Sequence, residues 1–213
     1  MERQQENKSS LEIKKILEFF KLSERLKFEL RHSWLSNGKQ ESVAEHVFQA
    51  ALMAIMMTRH LEHEVNIERV LKMILLHDLV EAKTGDIPYM EKSVRQNNKK
   101  EAERVAATEI AQMLSEKEGV EFLELWTEFE NRTTPEAKFA TALDNLEVQF
   151  QHNIADFKTW EPVECDLVYT KMAPSCKYDA FLEKFCEAII SQAEEKMKDA
   201  GVDIEEVKKR VGA

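Results

Sequence analysis

Five glycines and four prolines are all that this chain spreads over 213 residues. A sandwich, propeller or other many-stranded fold needs a tight turn every few residues, and tight turns draw on those two residue types. Their scarcity leaves long helices as the way to bury the apolar residues, which make up 43% of the sequence. The expected fold is all-α, organised around one buried helix. That helix is marked by Val70-Leu71-Lys72-Met73-Ile74-Leu75-Leu76, apolar on nearly every side, with Asn66 as its cap and His77-Asp78 near its end.

Periodicity and capping residues predict the other elements. Residues 1–9 read as a polar tail, and Leu11, Ile13, Ile16, Leu17 and Phe20 then recur at a helical period, with a short helical piece from Ser23. Residues 31–42 break the period and read as a loop entering a helix near Ser42 that runs to about Leu61. After the turn at Thr84-Gly85-Asp86-Ile87-Pro88, a helix is expected from about Asn98 to Lys117, stopped by Gly119, and a shorter one over 121–131. Thr134-Pro135-Glu136 is a strong helix start, and Phe139, Leu143, Leu146 and Phe150 mark its buried stripe. Pro162 and Pro174 make 158–176 look irregular, before a helix over Tyr178–Lys198 and a short one after Asp203. The chain reads as one domain over 10–213, with a less defined helical extension from about residue 158.

The formal net charge is −10. Such a balance works against binding nucleic-acid polymers or anionic membranes. The most apolar stretch, Ala50–Met57, is too short to cross a bilayer, and Cys165, Cys176 and Cys186 form neither a disulfide framework nor a zinc motif. A reducing cytoplasm is the expected location.

Three places set a polar, metal-competent side chain into an apolar pattern: Glu45-His46, His77-Asp78 and Asp144. Asp78 has Leu71, Ile74, Leu75 and Ala82 as its helical neighbours, so an uncompensated carboxylate there would be severely penalised. Asp144 repeats the case more weakly, because Thr141 and Glu147 leave one side polar. A divalent cation would satisfy all three places, since imidazole and carboxylate are ordinary ligands for Mn, Fe, Co, Ni or Zn. Glu81, four residues after His77, projects from the same region and could hold a proton for an attacking water.

The order His46, His77-Asp78, Asp144 resembles the HD superfamily of metal-dependent phosphohydrolases. Ser42-Val43-Ala44-Glu45-His46, His77-Asp78-Leu79-Val80-Glu81, Thr84-Gly85-Asp86-Ile87 and Ala142-Leu143-Asp144 are similar to its 5′-deoxynucleotidase branch, which has bacterial and eukaryotic members. The resemblance spans roughly residues 15–155 and implies a single all-α HD domain, usually a homodimer, that hydrolyses nucleoside 5′-monophosphates. It makes His46, His77, Asp78 and Asp144 the ligands of one divalent ion (Co, Mn, Zn, Ni, Fe or Mg). Glu81 becomes the general acid/base, Asp86 a substrate- or water-positioning acid, and Arg31 and Trp34 the residues that hold the phosphate and screen the sugar. His32 and Ser33 separate Arg31 from Trp34, whereas bacterial members place the two side by side. Two-metal members draw further histidines from between the His-Asp pair and the last Asp, and none lies between Asp78 and Asp144.

Plainer readings stand beside these. Arg31 and Trp34 suit a surface ion pair and a core anchor, His32 a loop position, His152 a structural one, and Glu91–Lys100 a solvated face or a mobile lid. Two further functions fit the same residues: hydrolysis of a nucleoside triphosphate or cyclic nucleotide, and a non-catalytic module that binds a metal or nucleotide to regulate a partner.

Overall fold

The computed structural model describes residues 2–213, with side chains from Ser9 onward. It is built almost wholly of helices. Of the tail expected over 1–9, Met1 lies outside the described residues, and Glu2 to Ser9 are helical, continuous with α1 (Glu2–Ser23). A 3-10 turn over Glu24–Lys27 leads into a hairpin of β1 (Leu30–Trp34) and β2 (Gln40–Ser42), antiparallel, with Leu30 opposite Ser42 and Trp34 opposite Gln40. This hairpin replaces the expected loop. A polar stretch of this length carries too little alternation to announce two short strands.

Ser42 closes the hairpin and caps α2 (Val43–Met57). The next helix, α3 (Ile67–Leu76), starts at its expected cap, where the Asn66 side chain accepts from the Arg69 backbone N–H. Beyond Leu76 the chain tightens into a 3-10 turn, His77–Val80, and continues as α4 (Glu81–Thr84). Gly85, at φ +75°, then turns the chain out of the helix, close beside the Glu29 carboxylate. The short α5 (Val94–Asn97) precedes α6 (Lys99–Met113) and α7 (Glu116–Asn131).

Gly119 does not stop a helix. It lies in the first turn of α7, which Ser115 and Glu118 open with a reciprocal capping box. A Cβ at Gly119 would come within 2.4 Å of the Ala111 carbonyl oxygen, so glycine here lets α7 approach the backbone of α6. The inner helix α8 (Pro135–Ile154) begins at the Thr134 cap and packs against α2, α3 and the equally long α11 (Ala180–Asp199). Between α8 and α11, the stretch expected to be irregular holds α9 (Pro162–Thr170) and α10 (Ala173–Cys176). Both prolines sit in first turns, where a missing N–H costs nothing, so they start helices here. The chain ends with α12 (Ile204–Val211).

The core unites the inner faces of α2, α3, α6, α7, α8 and α11, and a smaller cluster lies between α9, α11 and α12. Two expectations about apolar residues change. Leu75 of α3 is half exposed, and the periodic residues of α1, from Leu11 to Phe20, are mostly exposed as well. On α2, Phe48, Leu52, Ile55 and Met56 form an outward apolar stripe opposite the buried face that carries His46.

Candidate metal centre and active-site pocket

His46 is set by the start of α2. The Glu45 backbone N–H donates to Ser42 Oγ, and the Ser42 N–H donates to Glu45 Oε2 at 2.9 Å. Glu45 therefore closes the cap and pairs with Lys39, leaving His46 to point inward at 0% exposure. His77 and Asp78 are presented differently, by the 3-10 turn that follows α3. Tightening the helix there allows His77 Nδ1 to donate to the Ile74 carbonyl at 2.9 Å, which turns Nε2 away from its own helix. Asp144 comes from the middle of α8, directly across from both.

These groups converge. His46 Nε2 lies 3.1 Å from Asp144 Oδ1 and 3.7 Å from Asp78 Oδ2. His77 Nε2 lies 3.1 Å from Asp78 Oδ1 and 3.7 Å from Asp144 Oδ1. Behind His46, the fully buried Glu147 accepts a close hydrogen bond from Nδ1, so the Nε2 atoms of both imidazoles face the aspartates. A backbone or carboxylate acceptor on the far ring nitrogen is the arrangement that presents imidazole to a metal.

The chemistry of the donors fits a divalent ion. His77 Nε2 and Asp78 Oδ2 are buried and have no hydrogen-bond partner among the described residues. One ligand atom each from His46, His77 and Asp144 falls within 4.8 Å of the others, and the same holds for Glu41, His46 and Glu147. Only the first set opens on a cavity, as a hydrolytic ion requires, because Glu41 and Glu147 are sealed in the core. Burial opposes charge on His46, yet Glu147 and Asp144 push its pKa up to about 10. His77 is also driven well above the usual imidazole range, by Asp78 and Asp144 against its burial. Asp78, despite burial, is held down to about 2 by His77. The four groups thus form a compact set of opposite charges in which bound protons stand where an ion would compete.

The cavity above them has a volume of about 390 Å³. Arg31, Glu81, Asp86 and Lys99 line it beside Asp78 and Asp144. Arg31, on β1, is held from both sides, with Nε 3.6 Å from the buried Glu41 and a terminal nitrogen 3.7 Å from Asp78. Burial disfavours its charge, but Asp86, Asp78 and Glu81 outweigh that and keep it firmly cationic. Glu81 is 4% exposed, and its Oε2 is buried without a partner among the described residues. Burial, reinforced by Asp78 and Asp86, raises its pKa well above the carboxylate range. Asp86 is raised too, chiefly by burial, and its backbone N–H donates to Glu29.

Trp34, unlike Arg31, does not line this cavity, and neither does His46, which lies buried beneath it against Asp78 and Asp144. The Trp34 ring packs edge-on against His32, with centroids 5.0 Å apart, and His32 itself faces the cavity. Sequence reasoning also passed over Glu147, read as the polar side of α8 although it is wholly buried. Its position three residues after Asp144, between Leu146 and Phe150, was the available signal. Glu164, Leu167, Lys171 and Met172 reach the cavity from the stretch after residue 158, where no pattern tied them to the site.

Comparison with known proteins identifies the family. An HD domain family model matches residues 23–181. The 5′-deoxynucleotidase HDDC2 of Danio rerio is 37% identical over 138 residues, 64% of this chain and 67% of that protein. Its Xenopus laevis counterpart is 34% identical over 140 residues, 65% of this chain and 68% of the relative. Among solved structures, one described as a predicted metal-dependent phosphohydrolase from Magnetospirillum magnetotacticum superposes with a TM-score of 0.77 at 29% identity. That match covers 87% of this chain and 94% of the other. With its all-α fold, its His-Asp turn at the end of a central helix and these relatives, the chain belongs to the HD domain family.

Proposed function

We propose that this protein is a metal-dependent phosphohydrolase that releases phosphate from nucleoside 5′-monophosphates, deoxyribonucleotides included. The observation that carries this reading is one cavity lined by His77, Asp78 and Asp144, with His46 Nε2 buried against both aspartates and a buried arginine and a buried glutamate beside them. Relatives named 5′-deoxynucleotidases support the choice of substrate.

His46, His77, Asp78 and Asp144 would hold the ion. When bound, a divalent ion supplies positive charge that polarises the phosphoryl group and makes water more acidic. Arg31 binds the phosphoryl oxygens and neutralises the charge they gain as the bond breaks, with Lys99 close by. Water attacks phosphorus and the bond from phosphorus to the 5′-oxygen breaks. Glu81, whose raised pKa suits it to both directions of transfer, takes the water's proton and delivers one to the departing oxygen. Asp86 orients substrate or water from the turn after α4.

Two copies of the chain pair through the apolar stripe of α2, Phe48, Leu52, Ile55 and Met56, which this chain leaves uncovered. A cytoplasmic location suits three free, buried cysteines, and no helix among the described residues is long and apolar enough to cross a membrane. The test is phosphate release from a panel of ribo- and deoxyribonucleoside monophosphates, with triphosphates and cyclic nucleotides as comparators, each with Mn, Co, Zn, Ni, Fe or Mg. Release from monophosphates is the expected result. Metal binding with no release from any nucleotide would overturn catalysis in favour of a regulatory module.

A further inference from the structure

A second group of polar side chains opens on the same cavity, away from the candidate ligands. His32, the residue after Arg31 on β1, has its Nε2 buried without a hydrogen-bond partner among the described residues. That nitrogen lies 3.7 Å from Oε1 of Glu164, and His152 Nε2 lies 3.7 Å from the same oxygen. Glu164 is 2% exposed, and its other oxygen accepts from the Glu161 backbone N–H at 2.6 Å, closing the cap of α9. Oε1 is therefore left for something else. Packing holds both imidazoles in place: Trp34 stands edge-on to His32, and Trp160 leans on His152 while donating its indole N–H to the His152 carbonyl.

Three polar side chains from three elements, β1, α8 and α9, all face one cavity, with 3.7 Å between each imidazole Nε2 and the carboxylate and so no side-chain hydrogen bond between them. A shared ion does not account for them, because the sets close enough to hold one among the described residues leave these three out. A hydroxyl does. An oxygen set off the line between two atoms 3.7 Å apart reaches each at about 2.8 Å, an ordinary hydrogen-bond length. It can donate to a carboxylate and accept from an imidazole N–H, which is the complement offered here. Burial lowers His152 to about 4 and raises Glu164 to about 7, so near neutral pH the cluster holds a neutral ring and a carboxyl able to accept.

We propose that His32, Glu164 and His152 form a subsite for the 3′-hydroxyl of the nucleotide sugar. This rests on the nucleotidase reading above. Arg31 and His32 line the same cavity, and the Arg31 charge is close enough to His152 to help lower its pKa, so a group bound at the cluster is a neighbour of one bound at Arg31. In a nucleoside 5′-monophosphate, the sugar comes next after the phosphate and the base lies beyond it. The 3′-hydroxyl is carried by ribo- and deoxyribonucleotides alike, so the subsite serves either.

The test compares thymidine 5′-monophosphate with its 3′-deoxy analogue in the wild type, His32→Ala and Glu164→Gln. Glutamine at 164 keeps an oxygen for the α9 cap, and circular dichroism together with metal content checks that each variant is folded and loaded. In the wild type, the missing hydroxyl should lower kcat/KM by about 10–100-fold, since it leaves buried polar groups unpaired. Each variant should lose a similar factor on thymidine 5′-monophosphate and change little on the analogue, so that the ratio between the two substrates collapses toward one. Calorimetric binding of thymidine against 3′-deoxythymidine should show the same collapse without turnover. A ratio that stays at its wild-type value in folded variants overturns the subsite. So does a change confined to preference among bases, which would assign the cluster to base recognition. A wild type that releases phosphate from neither substrate removes the nucleotidase reading itself, and the subsite with it.

Discussion

Replacing Glu147 by glutamine changes one atom in a part of the core that solvent does not reach, and its effect on metal binding can be worked out from the geometry. Glu147 and His46 are both 0% exposed, and the carboxylate holds His46 Nδ1 so that Nε2 faces Asp144 and Asp78. Glutamine preserves shape and can still accept from Nδ1, but it removes the charge that makes the imidazole a stronger donor to a metal. Losing such a partner typically costs about 10–100-fold in metal affinity, or about 1.4–2.7 kcal/mol, and with no water able to substitute, the upper end is expected.

The pH dependence sharpens this prediction. His46 is pushed up to about 10 and His77 well above its usual range, so below those values an incoming ion must expel protons. Wild-type affinity should therefore climb with pH between about 6 and 9. Glu147 is one cause of the raised His46 value, so its neutralisation lets that proton leave more easily. The variant's climb is shallower and its deficit is larger at pH 9 than at pH 6. Isothermal titration with Mn or Co across that range measures both slopes. Equal affinities at pH 9, or a deficit that shrinks as pH rises, would refute the role given to Glu147.

Three further outcomes are expected. Glu81→Gln should retain metal and lose about 10²–10⁴-fold in kcat, read by phosphate release beside elemental analysis, and near-normal turnover would exclude Glu81 as the proton carrier. Gly119→Ala should destabilise by about 1–3 kcal/mol, lowering Tm by about 2–4 °C for each of them, because its Cβ meets the Ala111 carbonyl oxygen at 2.4 Å, and backbone does not yield as a side chain would. Phe48→Glu combined with Leu52→Glu should convert the proposed dimer to a folded monomer in light scattering, and an unchanged dimer mass would move the pairing surface away from α2.

The helical class of this protein was legible in the scarcity of glycine and proline, and the starts of α2, α3 and α8 in Ser42, Asn66 and Thr134. His46, His77, Asp78 and Asp144 stood out because each is a polar residue in an apolar period, a local contradiction that one sequence displays, and Glu81 because it follows His77 by four residues. These signals depend on residues within a turn or two of each other, where helix geometry alone sets who is neighbour to whom. What surrounds them follows no such rule. Glu41, Glu147, Glu164, His32 and His152 reach the site from strands and helices far apart in the chain, and each has an ordinary reading as a cap, a loop residue or a polar face. Gly119 likewise looked like a stop until the approach of α7 to α6 showed why a side chain has no room there. Only tertiary packing decides which buried carboxylate stands behind which imidazole, because that pairing depends on how helices cross and not on their own periodicity.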